Sequence, residues 1–170
     1  LPYGFDKFGK LPDHKIILFK TNIGHAGEFI DEILKYRNVH APPVIMSDAL
    51  SRNMPSVIKK YHRALCNAHA RREFVDIHKQ FPDKVEWLLR EYAKIWEINR
   101  NAVPEERLQE HKLYSLPIME RIKNWCSTEL ETKQTEENSS FGRAMKYFLN
   151  NFDGLSAFCR VEGTRLDNNE

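Results

Sequence analysis

Pro42-Pro43-Val44-Ile45-Met46-Ser47-Asp48 is the stretch on which the fold turns. Two consecutive prolines stop any helix arriving from the N-terminal side, because proline lacks a backbone donor and disfavours helical geometry in the residue before it. Val44-Ile45-Met46 is then a short apolar run, the pattern of a buried strand. It leads directly into Ser47-Asp48. An acid just past a buried strand end stands where open α/β sheets place their ligand sites. The same position also suits an aspartate that only fixes the following turn.

On the N-terminal side, His14 to Thr21 is β-branched and apolar and predicts another strand. Leu1 to Lys10 is irregular, with Pro2, Gly4 and Gly9. From His25 a helical pattern places Phe29, Ile30, Ile33 and Leu34 on one face and fades by Asn38. On the C-terminal side, Ala49 to Asn53 reads as a loop. Met54-Pro55 opens a short helix carrying Val57, Ile58 and Tyr61. Arg63 to Cys66 is a third apolar run, and a helix extends from Asn67 towards Phe81. Strands are expected over 14–21, 43–47 and 63–67, and strands separated by helices suggest right-handed crossovers onto a small sheet.

Beyond Phe81 no further strand is convincing. Val85, Leu88, Leu89, Tyr92 and Trp96 recur at helical spacing after Pro82. Pro104-Glu105-Glu106 opens another helix, and Ile118, Met119, Ile122, Trp125 and Cys126 mark one after Pro117. Glu131 to Ser140 reads as a polar loop. Ser139 or Ser140 caps a last long helix with Phe141, Met145, Phe148, Leu149 and Phe152 on its face, bent near Asp153-Gly154. The fold class is α+β with helix dominant.

A chain of 170 residues with 41% hydrophobic and 29% charged residues suits a globular fold. Apolar runs of four or five residues, such as Ile16 to Phe19, are too short to span a membrane, and no N-terminal signal is visible. Cys66, Cys126 and Cys159 are odd in number and widely spaced, which points to reduced thiols in a cytoplasm. Residues 52–94 hold ten Lys/Arg against five Asp/Glu. That basic section could face phosphates or be ordinary solvated helix surface.

Cys66-Asn67-Ala68-His69 has the spacing of half a zinc site, but no second pair exists, so no structural zinc is expected. Cys66 and His69 could instead support a site at Asp48. Arg71-Arg72 could grip DNA phosphates or pair with Glu73 and Asp76 on their own helix. Asp167-Asn168-Asn169-Glu170, taken alone, is a polar tail. There is no glycine-rich phosphate loop and no Gly-x-Ser-x-Gly elbow, and nothing favours a Ser-His-Asp triad.

Three pieces together are more specific: Pro43-Val-Ile-Met-Ser-Asp48-Ala-Leu-Ser-Arg52-Asn53, Leu65-Cys66-Asn-Ala-His69-Ala-Arg71-Arg72-Glu-Phe-Val-Asp76, and Leu166-Asp-Asn-Asn169. In this order they resemble the C-terminal part of transposases of insertion-sequence family sixty-six. The lead-in Lys15 to Glu28, with His25-Ala-Gly-Glu28, is similar to that family too. The resemblance implies a bacterial DNA strand-transfer enzyme of the DDE type. In such an enzyme three acids on a ribonuclease-H-like core hold two Mg²⁺ or Mn²⁺ ions. Asp48 matches the family's second acid and would be both catalytic residue and metal ligand. Arg52, Arg71 and Arg72 would contact DNA. The first acid belongs on a strand upstream of Lys15, where Asp6 and Asp13 do not match. The third belongs to a pattern Asp-Asn-Asn-x-x-Glu-Arg, whose Glu would fall two residues past Glu170.

The resemblance thus implies a partial ribonuclease-H-like core over 1–77, a large all-helical insertion over 78–160 and a return segment over 161–170. By itself such a fragment would neither cut nor join DNA. Its implied partners are element-end and target DNA and further copies of the chain, with no membrane. The rival expectations are a non-catalytic DNA-binding or subunit-docking module of a mobile-element protein, and a different ribonuclease-H-like nuclease.

Overall fold

The computed structural model describes residues 19, 21, 23–37 and 41–168. The strand expected over 14–21 lies outside them apart from two positions. Among the described residues two strands are present, β1 Val44–Ser47 and β2 His62–Leu65. They pair in parallel, with Val44 opposite His62 and Ser47 opposite Leu65. Helix α1, Ala26–Leu34, precedes the sheet, and α2, Asn67–Val75, leaves it. Then follow α3 Pro82–Asn101, α4 Arg107–Glu110, α5 Leu116–Glu131, α6 Ser140–Asn150 and α7 Phe152–Leu155. The architecture is helix-dominant with a small sheet.

The segment after β1 departs from the expected short helix. Residues 51–53 make one 3₁₀ turn, and residues 54–61 carry no helix. The segment is held by a residue 25 positions back, on α1. The Asp31 carboxylate accepts the backbone N–H groups of Ser56, Val57 and Ile58, at 2.8, 3.0 and 2.8 Å. Those bonds tie the segment after β1 to α1 in a non-helical course. Desolvation opposes the charge of Asp31, but these bonds outweigh it and hold its carboxyl below the usual range. Gly27 completes the docking of α1. A Cβ there would stand 2.1 Å from the Met54 carbonyl oxygen, so only glycine lets the helix approach this closely.

One hydrophobic core joins β2 and α2 to the helices that follow. Leu65, Phe74, Leu88, Tyr92, Met119, Ile122, Phe141, Met145, Phe148 and Leu155 all belong to it. Gly154 sits against β2, where an added Cβ would meet the Leu65 side chain at 2.7 Å. Helix α6 starts as its sequence suggests, with the Ser139 hydroxyl accepting the Gly142 N–H at 3.0 Å. Glu91, buried in α3, is paired with Lys94 and with Arg121, whose Nε lies 2.9 Å away.

Pro117 stands in the first turn of α5, as expected, but it does not start the helical course. The helix is already running from Arg107, and it crosses His111–Ser115 as a π turn before α5. A proline ring crowds the carbonyl four residues back, here Leu113, and a widened turn is a usual response to such crowding. The turn places His111 inside the protein. One ring nitrogen stands 2.9 Å from the Ser115 hydroxyl, the other 3.1 Å from Asn99 Oδ1. Burial, and then the charge of Arg107, lowers its pKa from 6.5 to about 4. Between these values the unfolded chain binds a proton that the folded chain refuses. Stability should therefore fall as the pH drops from about 6.5 towards 4. Urea unfolding at several pH values checks this: His111→Asn should flatten the slope in that window, and parallel curves would remove His111 as its cause.

Candidate functional site

The site is built at the C-terminal ends of the two parallel strands. Ile45 and Ser47 are buried and hold β1 in place. The Cys66 N–H donates to the Ser47 carbonyl at 3.0 Å, continuing the pairing one residue past β2. Asp48 and Cys66 therefore leave the sheet at the same edge. Asp48 is half-buried. Its Oδ1 accepts the Asn53 side-chain amide at 2.6 Å and the Leu50 N–H at 3.4 Å. This is the turn-fixing arrangement that aspartate favours. Its Oδ2 accepts no hydrogen bond among the described residues, so one oxygen holds the turn and the other is not engaged by it.

Tyr147 reaches this edge from α6. Burial raises the pKa of its phenol, the charges of Glu73 and Asp48 and the Cys66 thiol raise it further, and the Ala49 backbone opposes them. Nothing in the sequence marks Tyr147, which sits beside the apolar face of its helix without a motif. Asn67 is also unmarked. It is buried at the start of α2, where its side-chain amide donates to the Leu155 and Leu166 carbonyls at 2.9 and 3.2 Å. Its own N–H also donates to the Leu166 carbonyl. The end of the chain is thereby held against the sheet edge.

Cys66 is buried. His69, in the first turn of α2, is half-buried, and its Nδ1 is buried with no hydrogen-bond partner among the described residues. No hydrogen bond joins His69 to Asp48. Among the described residues no three His, Cys, Asp or Glu side chains come close enough to hold a metal ion. These residues alone therefore do not make up the two-ion centre that the resemblance implies, and Asp48 would supply one ligand of it.

Arg71 and Arg72 are exposed on α2. Neither forms an ion pair with Glu73 or Asp76, although Arg72 and Asp76 stand at i,i+4 spacing. They line a groove of about 500 Å³ between α2 and α3, together with Val75, Trp96, Arg100 and Asp167. The Trp96 indole N–H donates to Asp167 at 3.0 Å, so Asp167 is tied to α3 rather than part of a loose polar tail. Elsewhere in the basic section Lys84 pairs with Glu129, Arg90 with Glu86 and Lys94 with Glu91. Those three cations are ordinary paired helix surface. Arg52 is exposed in the 3₁₀ turn beside Asn53.

A family model described as "Transposase IS66 family" matches residues 5–170. The uncharacterized protein y4jD of Sinorhizobium fredii is 32% identical over 112 residues, which cover 62% of this chain and 21% of that protein. The chain thus spans about a fifth of the length of that relative. No solved structure matches.

Proposed function

The chain belongs to the transposase IS66 family, and on that premise we propose that it supplies part of the catalytic region of a DDE-type transposase, with Asp48 as one of its acids. Such an enzyme cuts and joins DNA by in-line attack at phosphorus. The observation that carries the reading is the position of Asp48: a carboxylate with one unbonded oxygen, at the edge where two parallel strands end. Ligands of open α/β sheets bind at such edges.

In this reading Asp48 is one ligand of a Mg²⁺ or Mn²⁺ site on a ribonuclease-H-like core, and Cys66 and His69 support that site from the start of α2. A bound ion would polarise the scissile phosphate. The residues of this chain do the positioning. Asn53 fixes the Asp48 carboxylate, and the Tyr147 phenol stands close enough to feel its charge. Residues 78–160 would be a helical insertion on the core. DNA is the partner, further copies of the protein complete the active assembly, and the bacterial cytoplasm is its place of action. No helix among the described residues is long and apolar enough to cross a membrane.

The test uses the full-length protein and labelled DNA carrying the ends of the element. Binding should persist in a chelator, while cleavage should require added Mg²⁺ or Mn²⁺. DNA that is bound but never cut with either metal would favour the rival reading, a docking module without chemistry.

A further inference from the structure

We propose that the groove between α2 and α3 is a seat for the sugar-phosphate backbone of DNA, with Arg71, Arg72 and Arg100 as its phosphate contacts. The inference rests on the DNA-processing reading above, and it adds a site on α3 that no motif marks.

Helical spacing builds the groove. Positions 68, 71, 72 and 75 form one wall on α2, and positions 93, 96 and 100 form the other on α3. Ala68 and Ala93 are both small and leave the space between the two walls unfilled. Trp96 supplies an aromatic surface between them, its ring fixed by the bond to Asp167 and by packing 5.6 Å from the Tyr92 ring. The three guanidinium groups are exposed, and none makes a hydrogen bond or ion pair among the described residues.

That last point separates them from Lys84, Arg90 and Lys94, each of which already faces a carboxylate. A cation with an internal partner must give it up to hold a phosphate. Arg71, Arg72 and Arg100 need not. Guanidinium also presents a planar fork of donors that matches phosphate oxygens. The groove holds three cations against the single carboxylate of Asp167. A concave surface of one dominant sign concentrates its field on a polyanion. Contacts to the sugar-phosphate backbone carry no sequence information, so this binding should be indifferent to sequence.

The experiment measures binding of the full-length protein to a short fluorescent duplex of arbitrary sequence over a series of salt concentrations. Each phosphate contact contributes about 0.9 to the slope of log K against log salt. Replacing Arg71, Arg72 and Arg100 together by Ala should therefore flatten the slope by about 2 to 3. Arg100→Lys should preserve most of it. The charge-matched control removes Lys59, Lys60 and Lys79, exposed cations of the same basic section outside the groove, and should change the slope much less. Circular dichroism and the melting temperature should stay at wild-type values, because the three arginines have no internal partners.

An unchanged slope in the arginine variant would overturn the proposal, as would an equal loss in the lysine control. In both cases the wild-type protein still binds DNA, and the broader reading stands. Wild-type protein that binds poly-glutamate through the same arginines and binds no DNA would remove both.

Discussion

In the full-length protein, Asp48→Asn should abolish DNA cleavage and leave the fold as stable as before. Asparagine retains a side-chain oxygen that can accept from Asn53 and from the Leu50 N–H, so the turn survives. What it removes is the negative charge, and with it a metal ligand of the kind the proposed chemistry needs. Loss of one electrostatic contact at a transition state costs on the order of a hundred- to a thousandfold in rate. A drop of at least that size is expected for both Asp48→Asn and Asp48→Ala. The alanine variant should in addition lose about 1 kcal/mol of stability, because it surrenders the turn's hydrogen bonds. Strand-cleavage rates and urea unfolding of the two variants together separate the roles. If the asparagine variant still cuts, Asp48 is a turn residue and no more.

Phe148→Ala should cost about 3–5 kcal/mol in urea unfolding, the usual range for emptying a buried phenylalanine site. Phe148 is fully buried, with its ring edge-on to Tyr92 at 6.4 Å and to Phe152 at 5.9 Å. It lies next to Tyr147 on α6, so the core contact that locks this helix also sets the depth of the phenol beside Asp48. Phe148→Leu should lose much less, since it keeps most of the apolar volume. A cost below about 1 kcal/mol for the alanine variant would mean that α6 is not clamped in the way its packing indicates.

Local chemistry explains which parts of this fold were legible in the sequence. The prolines before Val44 announce β1, and Ser139 announces α6, because each acts within a few residues of itself. β2 ends at Leu65 rather than at 67, because Cys66 is already the cap position of α2. The segment after Met54 reads as a helix from its own residues, since the carboxylate that claims its amides belongs to Asp31 on another element. The π turn hides for a similar reason: Pro117 reads as a helix start unless the turn before it is known to widen. Arg71 and Arg72 admitted two readings from spacing alone. Their lack of partners among the described residues appears only when the surrounding helices are in place, as does the companionship of Arg100. Tyr147 and Asn67 were invisible because their partners are far away along the chain.

That distance has a consequence for how the protein comes into being on the ribosome. The amide of Asn67 is bonded to carbonyls 88 and 99 residues further on. A nascent chain that has already made both strands and α2 still has nothing to offer this buried side chain. Loops of that length cost entropy to close, and they close only when the contacts that reward them exist. The edge that bears Asp48 is therefore finished only after Leu166 has been synthesised, and until then the Asn67 amide at the start of α2 is left to water.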